Sequence, residues 1–259
     1  MRISKCIRLH QLASRTAAVT LAVASSYAVA QSNFTTVRAQ IDLNEVPLVR
    51  VIATKTDRIF AEVGTTQDAY AKARASFGNN GAFATARNQP ANLGAYAESI
   101  WVDSFNIAGN VGADNLNISV LVSGTLDGGG QPGGPGSNSI YQLYFSDSPI
   151  SCDFDELSCT GTPLIPLTEA ISGSRLLTAQ LPFTYGVRFY VASYLGAEVL
   201  GNGFSDFYGS AYFGATAPGN VSIVGSSNVT YALASSIPEL TTAVLLFAGL
   251  AVLGSIRIK

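Results

Sequence analysis

The chain has 259 residues, 47% of them hydrophobic and 12% charged, with a formal net charge of −2. Charged residues stand at about half the share of an ordinary soluble domain, and Lys and Arg are too scattered for a nucleic-acid footprint. The one histidine, His10, lies in the opening segment, so the rest of the chain has no Ser-His-Asp or Cys-His catalysis and no histidine-ligated zinc.

The first 30 residues read as a secretory signal. Arg2, Lys5, Arg8 and Arg15 make it basic, and Thr16 to Ser25 is rich in Ala and Val. Ala28-Val29-Ala30 is the small-x-small pattern that a signal peptidase cuts, here before Gln31. An amphipathic transit peptide is the competing reading. The cleavage pattern and a second apolar segment at the far end favour export. Without the two ends, residues 31–235 keep nine Lys and Arg against sixteen Asp and Glu, a net charge of −7. That balance suits neither nucleic acid nor anionic lipid.

Residues 31–235 are enough for one core without a second domain. Thr65-x-x-Asp68 has the form of a helix capping box, and alanine is a strong helix former. Yet Ala69, Ala71, Ala73, Ala75 and Phe77 alternate with Tyr70, Lys72, Arg74 and Ser76. Ala82, Ala84 and Ala86 alternate again after the turn-like Gly78-Asn79-Asn80-Gly81. A helix explains only the first half, whereas a hairpin explains both halves and the turn. Such a hairpin has an alanine-lined face that another sheet can approach closely.

Further along, Trp101 in "SIWVDSF" reads as core. "LNISVLVSGTL" puts Leu116, Ile118, Val120 and Val122 on one side of a strand. "DGGGQPGGPGSN", from Asp127 to Asn138, is a connector without the Lys-Ser/Thr that a phosphate cradle needs. "SIYQLYF" from Ser139 is another strand. Cys152 and Cys159 are the only cysteines after the leader. An even pair in an exported chain reads as a disulfide, worth roughly 2–3 kcal/mol for so short a loop. Beside it Asp147, Asp153, Asp155 and Glu156 form the densest acidic patch, a candidate calcium loop that lacks EF-hand spacing and otherwise a solvated one. No other cofactor is implied.

"FTYGVRFYV" alternates Phe183, Tyr185, Val187, Phe189 and Val191 with polar partners and reads as a single half-buried strand. The aromatics from Phe183 to Phe213 fill a core. Alternatively, exposed members such as Tyr190 and Tyr194 stack on sugar rings. "NVTYAL" from Asn228 is a last strand signal. Short strands between Gly, Asn, Pro and Ser turns predict a mainly β fold, a single β-sandwich or jelly-roll domain.

The chain closes on "SIPELTTAVLLFAGLAVLGSIRIK". Leu240 to Ile256 is a 17-residue run without charge. As a helix it would span roughly 26 Å, the thickness of a thin hydrocarbon core. Arg257 and Lys259 follow as a basic stop that satisfies the positive-inside rule after export. This arrangement resembles the PEP-CTERM sorting signal of Gram-negative bacteria, a Pro-Glu-Pro motif with a nearby hydroxyl residue, a transmembrane helix and a basic end. Pro238 and Glu239 match its first two positions and Thr241 its hydroxyl position. Leu240 stands where the second proline is usual. The resemblance covers about the last two dozen residues, with the leader as its companion. It implies recognition of the Pro-Glu region by an exosortase, removal of the helix, and release to the cell surface or exopolysaccharide matrix of a biofilm.

The sequence therefore predicts a non-enzymatic exported surface or matrix protein. The alternatives are a surface-displayed carbohydrate-binding module and a glycan-active enzyme with a carboxylate pair.

Overall fold

The computed structural model describes residues 33–232, apart from 45, 66–67, 88–92, 129–135, 155–157, 170 and 220. The leader, with Ala28, Ala30 and Gln31, and the whole 236–259 segment, with Pro238, Glu239, Leu240, Thr241, Arg257 and Lys259, lie outside the described residues. So do Asp155 and Glu156.

The described residues form strands and no helix. In chain order these are β1 (Phe34–Leu43), β2 (Val46–Lys55), β3 (Ile59–Gly64), β4 (Ala69–Ser76), β5 (Asn79–Ala86), β6 (Leu93–Asn106), β7 (Ala113–Asp127) and β8 (Gly136–Ser146). The later strands are β9 (Cys152–Asp153), β10 (Ser158–Cys159), β11 (Thr162–Glu169), β12 (Gly173–Thr184), β13 (Arg188–Leu200), β14 (Gly203–Ala217), β15 (Val221–Val224) and β16 (Thr230–Tyr231).

Two antiparallel sheets make a β-sandwich. The first runs β11-β8-β13-β6-β1-β2 and the second β12-β7-β14-β5-β4-β3, with β15 and β16 added beside β14. The strands β5 to β8 fold back on β11 to β14. β5 pairs with β14, β6 with β13, β7 with β12 and β8 with β11. That nesting is the strand order of a jelly roll, widened by β1–β2 on one sheet and β3–β4 on the other. The exposed edges are interrupted by Pro47 on β2, Pro163 and Pro166 on β11, and Pro182 on β12. Proline cannot donate to an added strand, so it blunts an edge.

The alanine hairpin is present, as β4 and β5, and it does what an alanine face permits. Ala69, Ala71, Ala73, Ala75, Ala82, Ala84 and Ala86 are all buried against β1 and β6 of the facing sheet. The turn is Phe77-Gly78, two residues before the middle of the Gly78–Gly81 run, because Ser76 pairs directly with Asn79. Thr65 and Asp68 do hydrogen-bond, at 3.1 Å, within the β3–β4 turn and not at a helix end. Trp101 is fully buried, edge-on to Phe213 at 5.1 Å and stacked near Tyr231 at 5.9 Å. Leu116, Ile118, Val120 and Val122 point into the same core.

One strand expectation is corrected. "FTYGVRFYV" is two strands: β12 ends at Thr184, and β13 starts at Arg188. Gly186 holds a φ of +76° between them, a conformation glycine adopts without strain. The alternation continues through the turn by coincidence, since Tyr185 packs on the core while Val187 is exposed.

Candidate functional site

The outer face of the first sheet is half roofed and half open. Over one half, Ile150, Phe154 and Cys159 pack on Ile100, Val102, Tyr144 and Tyr190. Cys152 and Cys159 are joined as a disulfide that closes the segment between them, as the sequence predicts. The open half is a pocket of about 310 Å³.

Strand register builds the pocket floor in rungs. One rung runs across five strands as Asn138, Glu198, Tyr96, Gln40 and Arg50. The next runs as Ile140, Gly196, Glu98, Arg38 and Ile52. Asp42 comes after Gln40 on the same face of β1. The period of two explains why these polar residues share a face, since Val37, Ala39 and Ile41 between them point into the core.

The side chains are tied together. Arg38 donates to Glu98 from both Nε and Nη2, the latter at 2.8 Å, and to the Phe154 carbonyl at 2.9 Å. Its guanidinium also lies 5.4 Å from the Phe154 ring centroid. The disulfide-closed segment thus sets the position of Arg38, and Arg38 that of Glu98. Tyr194 adds a hydroxyl bond to Glu98 at 2.7 Å. Arg50 donates to Gln40, and the Gln40 amide donates to both oxygens of Asp42 at 2.7 and 2.8 Å. Tyr96 folds back along its own strand over Gly94, within 2.5 Å of where a Cβ would sit there.

Burial raises all three carboxyls. Glu98 is raised against the opposing pull of Arg38 and Tyr194. Asp42 is raised against Gln40, Arg38 and Arg50. Glu198 is raised by burial and by the charges of Glu98 and Glu169, against a hydrogen bond from Asn138. The pocket therefore offers carboxylate acceptors, amide and guanidinium donors and one flat ring, the set that recognises a hydroxyl-rich ligand. Glu98 is committed to Arg38, so Asp42 and Glu198 are the acceptors nearest to available.

The sequence-predicted sites fare differently. Tyr190 and Tyr194 are buried, at 7% and 1% exposure, so neither can stack on a sugar as the aromatic-surface alternative requires. Tyr190 packs with Ile150, Phe154 and Cys159 of the roof, and Tyr194 borders the pocket with its hydroxyl bonded to Glu98. Asp147 and Asp153 are both exposed, and among the described residues no three His, Cys, Asp or Glu side chains come together to hold a metal. The pocket residues were missed because they lie on separate strands. The one local signal was Arg38-x-Gln40-x-Asp42, a polar alternation inside an otherwise apolar strand.

No protein-family model matches the chain, and no curated protein matches it. Among solved structures, the bacteriophage CBA120 tailspike protein 4 enzymatically active domain matches at 7% identity with a TM-score of 0.25. That match covers 62% of this chain and 19% of the tailspike chain, so this chain spans under a fifth of its length. TmCBM61 in complex with beta-1,4-galactotriose matches at 8% identity with a TM-score of 0.23, over 60% of this chain and 86% of the other. At these scores neither likeness decides fold or ligand.

Proposed function

We propose that this chain is an exported, non-catalytic protein that binds polysaccharide at the cell surface or in the extracellular matrix, through the pocket between Arg38 and Glu198. The observation that carries this reading is the rung Glu198–Tyr96–Gln40–Arg50, a polar row lining an open pocket beside the buried Arg38–Glu98 pair. A disulfide beside the pocket is in keeping with an oxidising compartment. The leader and the 236–259 segment supply the route. Signal peptidase cuts before Gln31, the apolar helix halts in the inner membrane, and an exosortase acts at Pro238-Glu239.

Two measurements test it. The C-terminal mass of protein recovered from cells and matrix is expected to show loss of the segment after about Glu239. Full-length protein retained in the membrane, or normal release of Pro238→Ala, overturns the sorting half. Glycan-array binding that survives both Tyr96→Ala and Glu198→Gln overturns the pocket half. A second reading, glycan hydrolysis, draws on three raised carboxyls sharing one pocket. Polysaccharide turnover that Glu198→Gln abolishes would select it.

A further inference from the structure

The outer face of the second sheet carries a strip of aromatic rings pinned by two cations. Register sets it out in three rungs: Phe60–Arg74–Gly81, Glu62–Lys72–Phe83–Asp206, and Tyr70–Thr85–Phe204. The Lys72 ammonium lies 4.2 Å from the Tyr208 ring centroid and 5.1 Å from that of Phe83. The Arg74 guanidinium lies 5.1 Å from the Tyr208 ring, and its Nε donates to the Tyr208 carbonyl at 2.6 Å. Tyr70 meets the Phe83 ring at 6.1 Å and donates its hydroxyl to Glu62 at 2.9 Å. At the end of the strip Phe60 is 69% exposed.

Gly81 makes the arrangement sterically feasible. A Cβ there would sit 2.2 Å from the Tyr208 carbonyl oxygen and 2.8 Å from the Arg74 side chain. Only glycine lets Arg74 cross the strand to reach Tyr208. The rings are thus held in place before any ligand arrives, which reduces the ordering cost of binding.

We infer that this strip is a second polysaccharide site, taking the apolar faces of neutral sugar rings, so that one domain holds two glycan chains on opposite faces and cross-links them. The inference rests on the proposed binding of glycan in the Arg38–Glu198 pocket. Sugar chemistry fits the strip better than a protein partner does. Charges stand in the middle of the strip, whereas the dry core of a protein interface is depleted of them. A sugar offers a C–H face to the rings and hydroxyls to the charged groups between them. An anionic polymer fits less well, because Glu62 and Asp206 share the rung of Lys72 and Phe83 and offset the two cations. Stacked sheets lie about 10 Å apart before their outer side chains are counted. One chain would have to turn around an edge to fill both sites, whereas two chains fill them directly.

Calorimetric titration of the full chain in detergent with β-1,4-glucan and β-1,4-galactan hexasaccharides tests this. Two ligands per protein are expected. Tyr208→Ala with Lys72→Ala is expected to leave one, and Tyr96→Ala with Glu198→Gln also one, with thermal midpoints confirming that the variants fold. Single-ring loss alone, Tyr208→Ala, is expected to weaken the strip site several-fold, up to about tenfold. One ligand per wild-type protein, lost with the pocket variant and unaffected by the strip variant, overturns the second site and leaves the pocket standing. One ligand lost with the strip variant alone upholds the strip as a glycan site but overturns the pocket reading and the cross-linking. Binding of neither hexasaccharide overturns both.

Discussion

Arg38 on β1 and Glu98 on β6 stand directly opposite in register and form an ion pair in which both side chains are buried. A charge taken out of water is held by its partner, and removal of one strands the other. Arg38→Met is expected to cost about 3–5 kcal/mol. Arg38→Met with Glu98→Leu is expected to cost much less than the two single changes added together. Urea unfolding of the four proteins measures the coupling, and additive losses would show that the pair is not the source.

The pocket carboxyls give stability a defined pH dependence. Burial holds Glu198 above its unfolded value. The folded state therefore binds its proton more tightly than the unfolded one does. The contribution is fully present below the unfolded value of about 4.3 and is lost as pH rises through the folded value. Relative to wild type, Glu198→Gln is expected to grow more stable as pH rises from 4 towards neutrality. Urea midpoints measured across that range check the sign, and a constant difference between the two proteins counts against it.

The alanine hairpin leaves no room for larger side chains. Ala84 on β5 is fully buried where β5 meets β6 of the other sheet. Ala84→Leu is expected to cost about 1–3 kcal/mol by overpacking. On the same strand, Phe83 points outward, and Phe83→Leu should cost clearly less. Equal losses at both positions would mean that the close approach of the sheets is not what fixes residue size here.

Asp103 ties the last hairpin to the body of the sandwich. Its carboxylate accepts from Ser226 Oγ at 2.9 Å, Ser227 N at 3.2 Å, Ser227 Oγ and Tyr231 Oη at 2.7 Å. Asp103→Ala is expected to lose about 1–3 kcal/mol and leave Tyr231 Oη without its partner. Faster amide exchange and protease cutting within Gly225–Tyr231, ahead of global unfolding, would mark the released hairpin. Unchanged protection there would assign the hairpin's stability to the Trp101–Tyr231 packing instead.

Much of the fold was legible because its signals are local. Period-two alternation located β4, β5 and β7, and an even cysteine pair gave the disulfide. The break at Gly186 was hidden because Tyr185 packs on the core within the turn, so alternation never lapsed. The site was hidden for a different reason. Glu198, Tyr96, Gln40 and Arg50 make one row only after β13, β6, β1 and β2 pair, and no spacing in the sequence encodes that pairing. The burial of Tyr190 and Tyr194 agrees with the core reading of these aromatics, but its source, a roof that includes Ile150, Phe154 and Cys159, lies far from them in the chain.

The nesting of β5–β8 within β11–β14 makes folding a late event. β5, β6 and β7 wait for partners more than a hundred, eighty and forty residues downstream, respectively. The first sheet cannot close until Arg188–Leu200 has emerged from the ribosome, and the second until Gly203–Ala217 has. Topologies dominated by such distant pairings fold slowly. Only the local pairings of β1–β2 and β3–β4–β5 are available early, so no complete sheet stands in the way of passage through a narrow channel until most of the chain has been made.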